Sequence, residues 1–218
     1  MALSPGDIRT LRLATVLFPA GHPRCGEKAP VNALLIKHPA GDLLVDTGIG
    51  PPHPLIDRLY QPERRDLEEA LAAAGSRAAD IRLVVNTHLH FDHCGGNRQF
   101  AGVPVIVQQT ELQDAGGSGY TIPEFVDFPG AVYSPVNGRG EVLPGLAVIP
   151  APGHTRGHQA VAVSTSAGPV VIGGQAAETA AAFRQSADPS VTALRALRPV
   201  RVLFSHDGSC WEPTRGRA

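Results

Sequence analysis

Cysteine, aromatic residues, net charge and long apolar runs are all scarce in this chain. The three cysteines, Cys25, Cys94 and Cys210, are unevenly spaced and form no CxxC pair. An odd count without a framework argues against a disulfide-stapled secreted scaffold. Basic side chains number 19 and acidic ones 20, so there is no electrostatic footprint for nucleic acid. No apolar run approaches the roughly 18 residues of a membrane helix. Residues 1–20 carry Arg9 and Arg12 inside their apolar stretch, which leaves no signal-peptide core. The expectation is a soluble, cytoplasmic protein whose partner is a small molecule rather than nucleic acid or a membrane. At 218 residues the chain suits one domain over 1–218 with a sizeable core. Nothing in it speaks to oligomeric state.

What is present is an alternation of strands and helices. Ile8 to Phe18 predicts a strand. Val31 to Lys37 and Asp42 to Val45 predict a hairpin split at Pro39-Ala40-Gly41, and Gly50 to Pro54 a stiff loop. Asp66 to Ala74 predicts a helix with Asp66 as N-cap, acids in the first turn and Gly75 after its end. Strands are expected at Ile81 to Asn86, Val103 to Val107, Leu146 to Ile149, Ala160 to Ser164, Val170 to Ile172 and Val200 to Phe204. Helices are expected at Gln109 to Asp114, Ala176 to Gln185 and Pro189 to Leu197, the last capped by Asp188. Residues 115–140, rich in glycine and proline with scattered aromatics, read as a long loop or lid.

The chemistry concentrates in Thr87 to Gly96. Three imidazoles and a carboxylate, His88, His90, Asp92 and His93, lie within six residues after a strand. Imidazole nitrogen binds zinc and related metals, and a strand end is where open α/β sheets build sites. Three more strand ends carry polar groups: Pro152 to His158, Gly173-Gly174-Gln175, and Ser205-His206-Asp207. His22, His38 and His53 sit near prolines and read as surface residues, with His22 a candidate for a pocket rim. Cys94 reads as a packing residue.

The ordered set HxHxDH at His88, His90, Asp92 and His93, then His154, then His206, resembles the metallo-β-lactamase superfamily. Asp46-Thr47-Gly48 is similar to that family's early strand-end motif, and the resemblance covers roughly residues 30–208. It implies an α+β fold, an αββα sandwich of two mixed sheets with helices on the outer faces and the site at one edge. HLHFDHCGGN and PGHTRGHQ look most like the N-acyl-homoserine lactonase branch, while thioesterases of the glyoxalase II type share the same metal motifs. Carried over, His88, His90 and His154 would form one zinc site. Asp92, His93 and His206 would form a second, with Asp92 as general base on a metal-activated water. His158 and Asp46 would orient ligands or make purely structural hydrogen bonds.

Two positions depart from the pattern. Where the family has a metal-bridging aspartate this chain has Gln175, which offers one neutral carbonyl oxygen. The second metal is therefore expected to bind weakly or not at all. Where the lactonases have a tyrosine three residues later, this chain has Glu178, expected early in a helix. The resemblance implies a metal-dependent hydrolase of an ester-like acyl bond, most readily a lactone. The alternatives are a thioesterase and a non-hydrolytic binding or cyclase-like protein.

Overall fold

The computed structural model describes residues 2–213. The first sheet has seven strands: β1 (Ile8–Leu17), β2 (Lys28–Ile36), β3 (Asp42–Val45), β4 (Glu63–Arg64), β5 (Ile81–Val85), β6 (Pro104–Gln108) and β7 (Val132–Val136). They lie side by side in the order β4-β1-β2-β3-β5-β6-β7. The second has five: β8 (Gly140–Leu143), β9 (Leu146–Pro150), β10 (Gln159–Thr165), β11 (Gly168–Ile172) and β12 (Arg201–Leu203), in the order β12-β11-β10-β9-β8. Both are mixed. The run β3, β5, β6, β7 is parallel, as is the β11–β12 pair, and the remaining pairs are antiparallel.

The strand period of two builds the layers. In β2, Leu34 and Ile36 face inward to meet Leu146, Val148, Val161, Val163 and Ile172 of the second sheet. Their neighbours Ala33 and Leu35 face the other way, against Leu67, Ala70 and Leu71 of the helix Leu67–Ala73. Central strands buried on both faces are largely apolar, which is why Ala33 to Ile36 in β2 and Leu43 to Val45 in β3 read as continuous hydrophobic runs. On the outer face of the second sheet, Ile149, Ala160, Val171 and Val202 pack against Phe183, Val191 and Leu194. Each of the fully buried Val, Leu and Phe side chains here contributes about 1.5–3 kcal/mol relative to exposure. The product is the expected αββα sandwich.

The helices are α1 (Pro54–Tyr60), α2 (Leu67–Ala73), α3 (Phe91–Cys94), α4 (Gln109–Ala115), α5 (Pro123–Val126), α6 (Ala180–Gln185) and α7 (Pro189–Ala196). Asp66 caps α2 by accepting from Glu69 N at 3.0 Å. Asp188 caps α7 by accepting from Ser190 N at 2.8 Å.

Three expectations need correction. The stiff loop holds as far as His53 but leads into an unexpected helix, α1, in which Pro54 occupies the first turn and His53 Nδ1 caps it from outside. Residues 115–140 are not one loop. They contain α5 and β7, and β7 pairs in parallel with β6, a partner 28 residues away by the register Pro104 to Val132. As an outermost strand, β7 tolerates Pro135. The helix expected from Ala176 begins only at Ala180, where Thr179 Oγ1 and Asp207 Oδ2 accept from Ala182 N and Ala180 N. Glu178 therefore lies in the turn before the helix. No helix among the described residues is long and apolar enough to cross a membrane.

Candidate metal centre

The polar groups singled out in the sequence meet at one edge of the sandwich. Asp46 follows β3, Thr87 to Cys94 follow β5, His154 lies between β9 and β10, Gln175 follows β11 and His206 follows β12. Asp46 is the anchor. It is fully buried and its backbone is left-handed, with φ 59°, a conformation aspartate tolerates better than most residues. Its carboxylate accepts from Thr87 N at 2.7 Å, from Thr87 Oγ1 at 2.8 Å and from His93 Nδ1 at 2.8 Å. One side chain thus fixes both ends of the histidine loop to the first sheet.

This network assigns the ring tautomers. Because Thr87 Oγ1 donates to Asp46, it accepts from His88 Nδ1 at 3.2 Å. His88 Nε2 is then left with a lone pair, buried and without a hydrogen-bond partner. Beside it, His90 Nδ1 lies 3.1 Å from His154 Nε2. Ligand atoms of these three histidines all fall within 4.8 Å of one another.

The second cluster has the same character. His93 donates from Nδ1 to Asp46, and His206 donates from Nδ1 to Pro30 O at 2.9 Å. Their Nε2 atoms therefore face each other, 3.3 Å apart, with Asp92 Oδ2 at 3.3 Å from His206 Nε2 and 3.9 Å from His93 Nε2. Two imidazole lone pairs and a carboxylate converge on one point, and such a donor set is stable only around a cation. A proton is the smallest that serves. Burial pushes His93 down, but Asp46 and Asp92 overcome it and raise its pKa to about 9. Burial likewise opposes ionisation of Asp92, yet His93 and His206 hold its carboxyl well below the usual range. The first cluster, without a carboxylate, behaves oppositely. Burial and neighbouring imidazoles push His88 well down and His154 down to about 4. Both donor sets fit a divalent metal.

Gln175 is buried beside His93. Its backbone N donates to His158 Nε2 at 3.0 Å, and its side-chain Nε2 donates to Glu178 Oε1 at 3.0 Å. His158 completes its bonding by donating from Nδ1 to Ala151 O at 3.0 Å, which makes it a brace between the β9 end and Gln175. Glu178 is half-buried and pairs with Arg24, Nη1 to Oε2 3.6 Å, rather than standing exposed. His22 stacks on Phe18 at 3.9 Å, and Phe18 meets the His206 ring edge-on at 6.1 Å, so His22 does lie near the site. Cys94 is buried with its thiol against Leu89 O, as expected of packing.

Sequence reasoning missed Glu111. It is completely buried, and its carboxylate accepts from Leu89 N at 2.8 Å, from Thr155 Oγ1 at 2.7 Å and from the Tyr120 hydroxyl. Leu89 separates His88 from His90, and Thr155 adjoins His154, so Glu111 ties together the two loops of the first cluster. In the sequence it is one glutamate in a short polar helix, with no signal to mark it.

Known proteins resemble this chain in sequence and in fold. An N-acyl homoserine lactonase of Bacillus sp. is 32% identical over 156 residues, 66% of this chain, and the match spans only 62% of that relative's length. An N-acyl homoserine lactonase of Azorhizobium caulinodans is 30% identical over 213 residues, covering 83% of this chain and 79% of the relative. Among solved structures, a quorum-quenching N-acyl homoserine lactone lactonase superposes with a TM-score of 0.79 at 26% identity, covering 95% of each chain. An N-acyl homoserine lactone hydrolase with the product N-hexanoyl-L-homoserine at its catalytic metal centre superposes at 0.80 with 24% identity and 95% coverage of each. The sequence pattern of the metallo-beta-lactamase superfamily matches residues 26–209, and the chain belongs to that superfamily.

Proposed function

We propose that the protein is a metal-dependent hydrolase of an ester-like acyl bond, with a lactone as substrate. The observation that carries this reading is the pair of converging donor sets, His88/His90/His154 and Asp92/His93/His206, at one edge of the sandwich. The relatives named as lactonases support the choice of a lactone. Zinc held by these side chains would supply Lewis-acid polarisation of the carbonyl and lower the pKa of water toward about 7.

The chain's own residues do the rest. Asp46 holds His93, and Glu111 holds the loops of His88, His90 and His154. Asp92 stays ionised and stands at the junction of the two clusters, where it accepts a proton from the attacking water and returns it to the leaving alkoxide. Gln175 contributes a neutral oxygen in place of a carboxylate, so the second metal is the weaker of the two. The whole site belongs to one domain, in which the 115–140 segment, including α5, serves as a lid.

Elemental analysis of the purified protein, with hydrolysis assays on lactone and thioester panels, tests this. Lactone turnover that disappears in His88→Ala and His154→Ala is the expected result. Preference for thioesters moves the assignment to the glyoxalase II type. Full activity in either histidine variant refutes the metal mechanism. Gln175 and Glu178 favour a second reading, a non-hydrolytic binding protein, which requires metal binding without turnover on either panel.

A further inference from the structure

A glutamine amide has two ends, and only the carbonyl end can ligate a metal. In this protein something outside the cluster decides which end points inward. The Gln175 Nε2 donates to Glu178 Oε1 at 3.0 Å, away from the histidines. The carbonyl oxygen is thereby turned toward His93. The same contact polarises the amide. A carboxylate drawing on the N–H leaves more negative charge on the carbonyl oxygen, because hydrogen bonds in a chain strengthen one another in a low-dielectric setting.

Glu178 is itself held in place. Arg24 Nη1 lies 3.6 Å from Glu178 Oε2, and both of these buried atoms lack a hydrogen-bond partner among the described residues. Arg24 is fixed from behind: its Nε donates to Glu27 Oε2 at 2.9 Å, and its guanidinium sits 4.9 Å above the Phe18 ring. At 3.6 Å the ion pair is longer than a charge-assisted hydrogen bond of about 2.7–2.9 Å. It orients the Glu178 carboxylate without consuming the oxygen that serves Gln175.

We propose that Glu178, steadied by Arg24, is a positioning residue that makes Gln175 an oxygen ligand of the second metal. The chain has a neutral amide beside Asp92, His93 and His206, and supplies the missing negative charge one bond further out. This rests on the reading that the two clusters hold metal, but not on the identity of the substrate.

The experiment is a double-mutant cycle read in metal affinity, by competition with a chelator, on unaltered protein, Glu178→Leu, Gln175→Asp and the double variant. Zinc alone is the probe, and no turnover is needed. Outer-shell partners of a metal ligand typically govern its affinity by about 10–100-fold. Glu178→Leu should therefore weaken the second zinc by about that factor while leaving the first unchanged. In the Gln175→Asp background, where both ends of the side chain are oxygens, the same substitution should cost less than about threefold. Arg24→Met should weaken the second zinc in the same direction and by less. Equal losses in both backgrounds, no loss in either, or a single bound zinc in the unaltered protein at saturating metal would each overturn the proposal. Absence of lactone hydrolysis with the cycle intact would instead count against the proposed reaction and leave Glu178 in its role.

Discussion

Replacing Glu111 with alanine should damage metal binding from a distance. The carboxylate accepts three hydrogen bonds, two of them from the buried Leu89 N and Thr155 Oγ1. Each buried donor left without a partner costs about 1–3 kcal/mol, so the two together cost roughly 2–6 kcal/mol, toward the lower end because the Thr155 hydroxyl can rotate to a new acceptor. That is a large part of the 5–15 kcal/mol typical of a folded domain, but not all of it. The variant should fold, and unfold at lower denaturant. The local effect is sharper, since Leu89 and Thr155 carry the loops of His88, His90 and His154. With their common tether gone, the first metal should bind about 10–100-fold more weakly. Glu111→Gln, which keeps the size and one acceptor, should fall between. Denaturant unfolding of metal-free protein and a chelator competition titration measure the two effects. An unchanged unfolding midpoint with unchanged first-site affinity would show that the buried carboxylate is not the tether described.

Gln175→Asp should raise metal content per chain toward two at free zinc concentrations too low to fill the second site of the unaltered protein, checked by elemental analysis; two tightly held metals in the unaltered protein would contradict the weak-bridge argument. At Gly157 a Cβ would fall 2.3 Å from Glu111 N and 2.5 Å from Glu111 Cα, so Gly157→Ala must push two backbones apart. A loss of about 1–3 kcal/mol is expected in urea unfolding, with weaker first-site zinc. Burial and the neighbouring imidazoles hold His158 down to about 3. The unfolded chain therefore takes a proton there that the folded one refuses, and metal-free protein should lose stability as pH falls from about 6.5 toward 3, by up to about 1.4 kcal/mol per pH unit. His93, raised to about 9, works in the other direction: its contribution is complete below about 6.5 and is lost as pH rises through 9. Unfolding free energies of the metal-free protein at pH 5, 7 and 10 should therefore peak at the middle value, and a steady rise from 5 to 10 would contradict the His93–Asp46 pairing.

Local sequence determined a good deal of this protein. Alternation and capping residues placed most strands, α2 and α7, because a strand's period and an N-cap's hydrogen bond are properties of a few neighbouring residues. The density of imidazoles between His88 and His93 marked the site, and the order of His154 and His206 behind it named the superfamily. Where an element depends on distant partners, the sequence was silent. β7 exists because β6 offers it a parallel edge, and α6 starts late because Asp207 reaches back from beyond β12 to cap it. The burial of Glu111, the left-handed turn at Asp46 and the orientation of the Gln175 amide follow from contacts across 22, 41 and 3 residues respectively. Even the last of these, close in sequence, needed Arg24 from the far end of the chain to hold Glu178. The ligands are written in the sequence because metals demand particular atoms. Their geometry, and the charge that surrounds them, arises only when strand ends from both sheets are packed against one another.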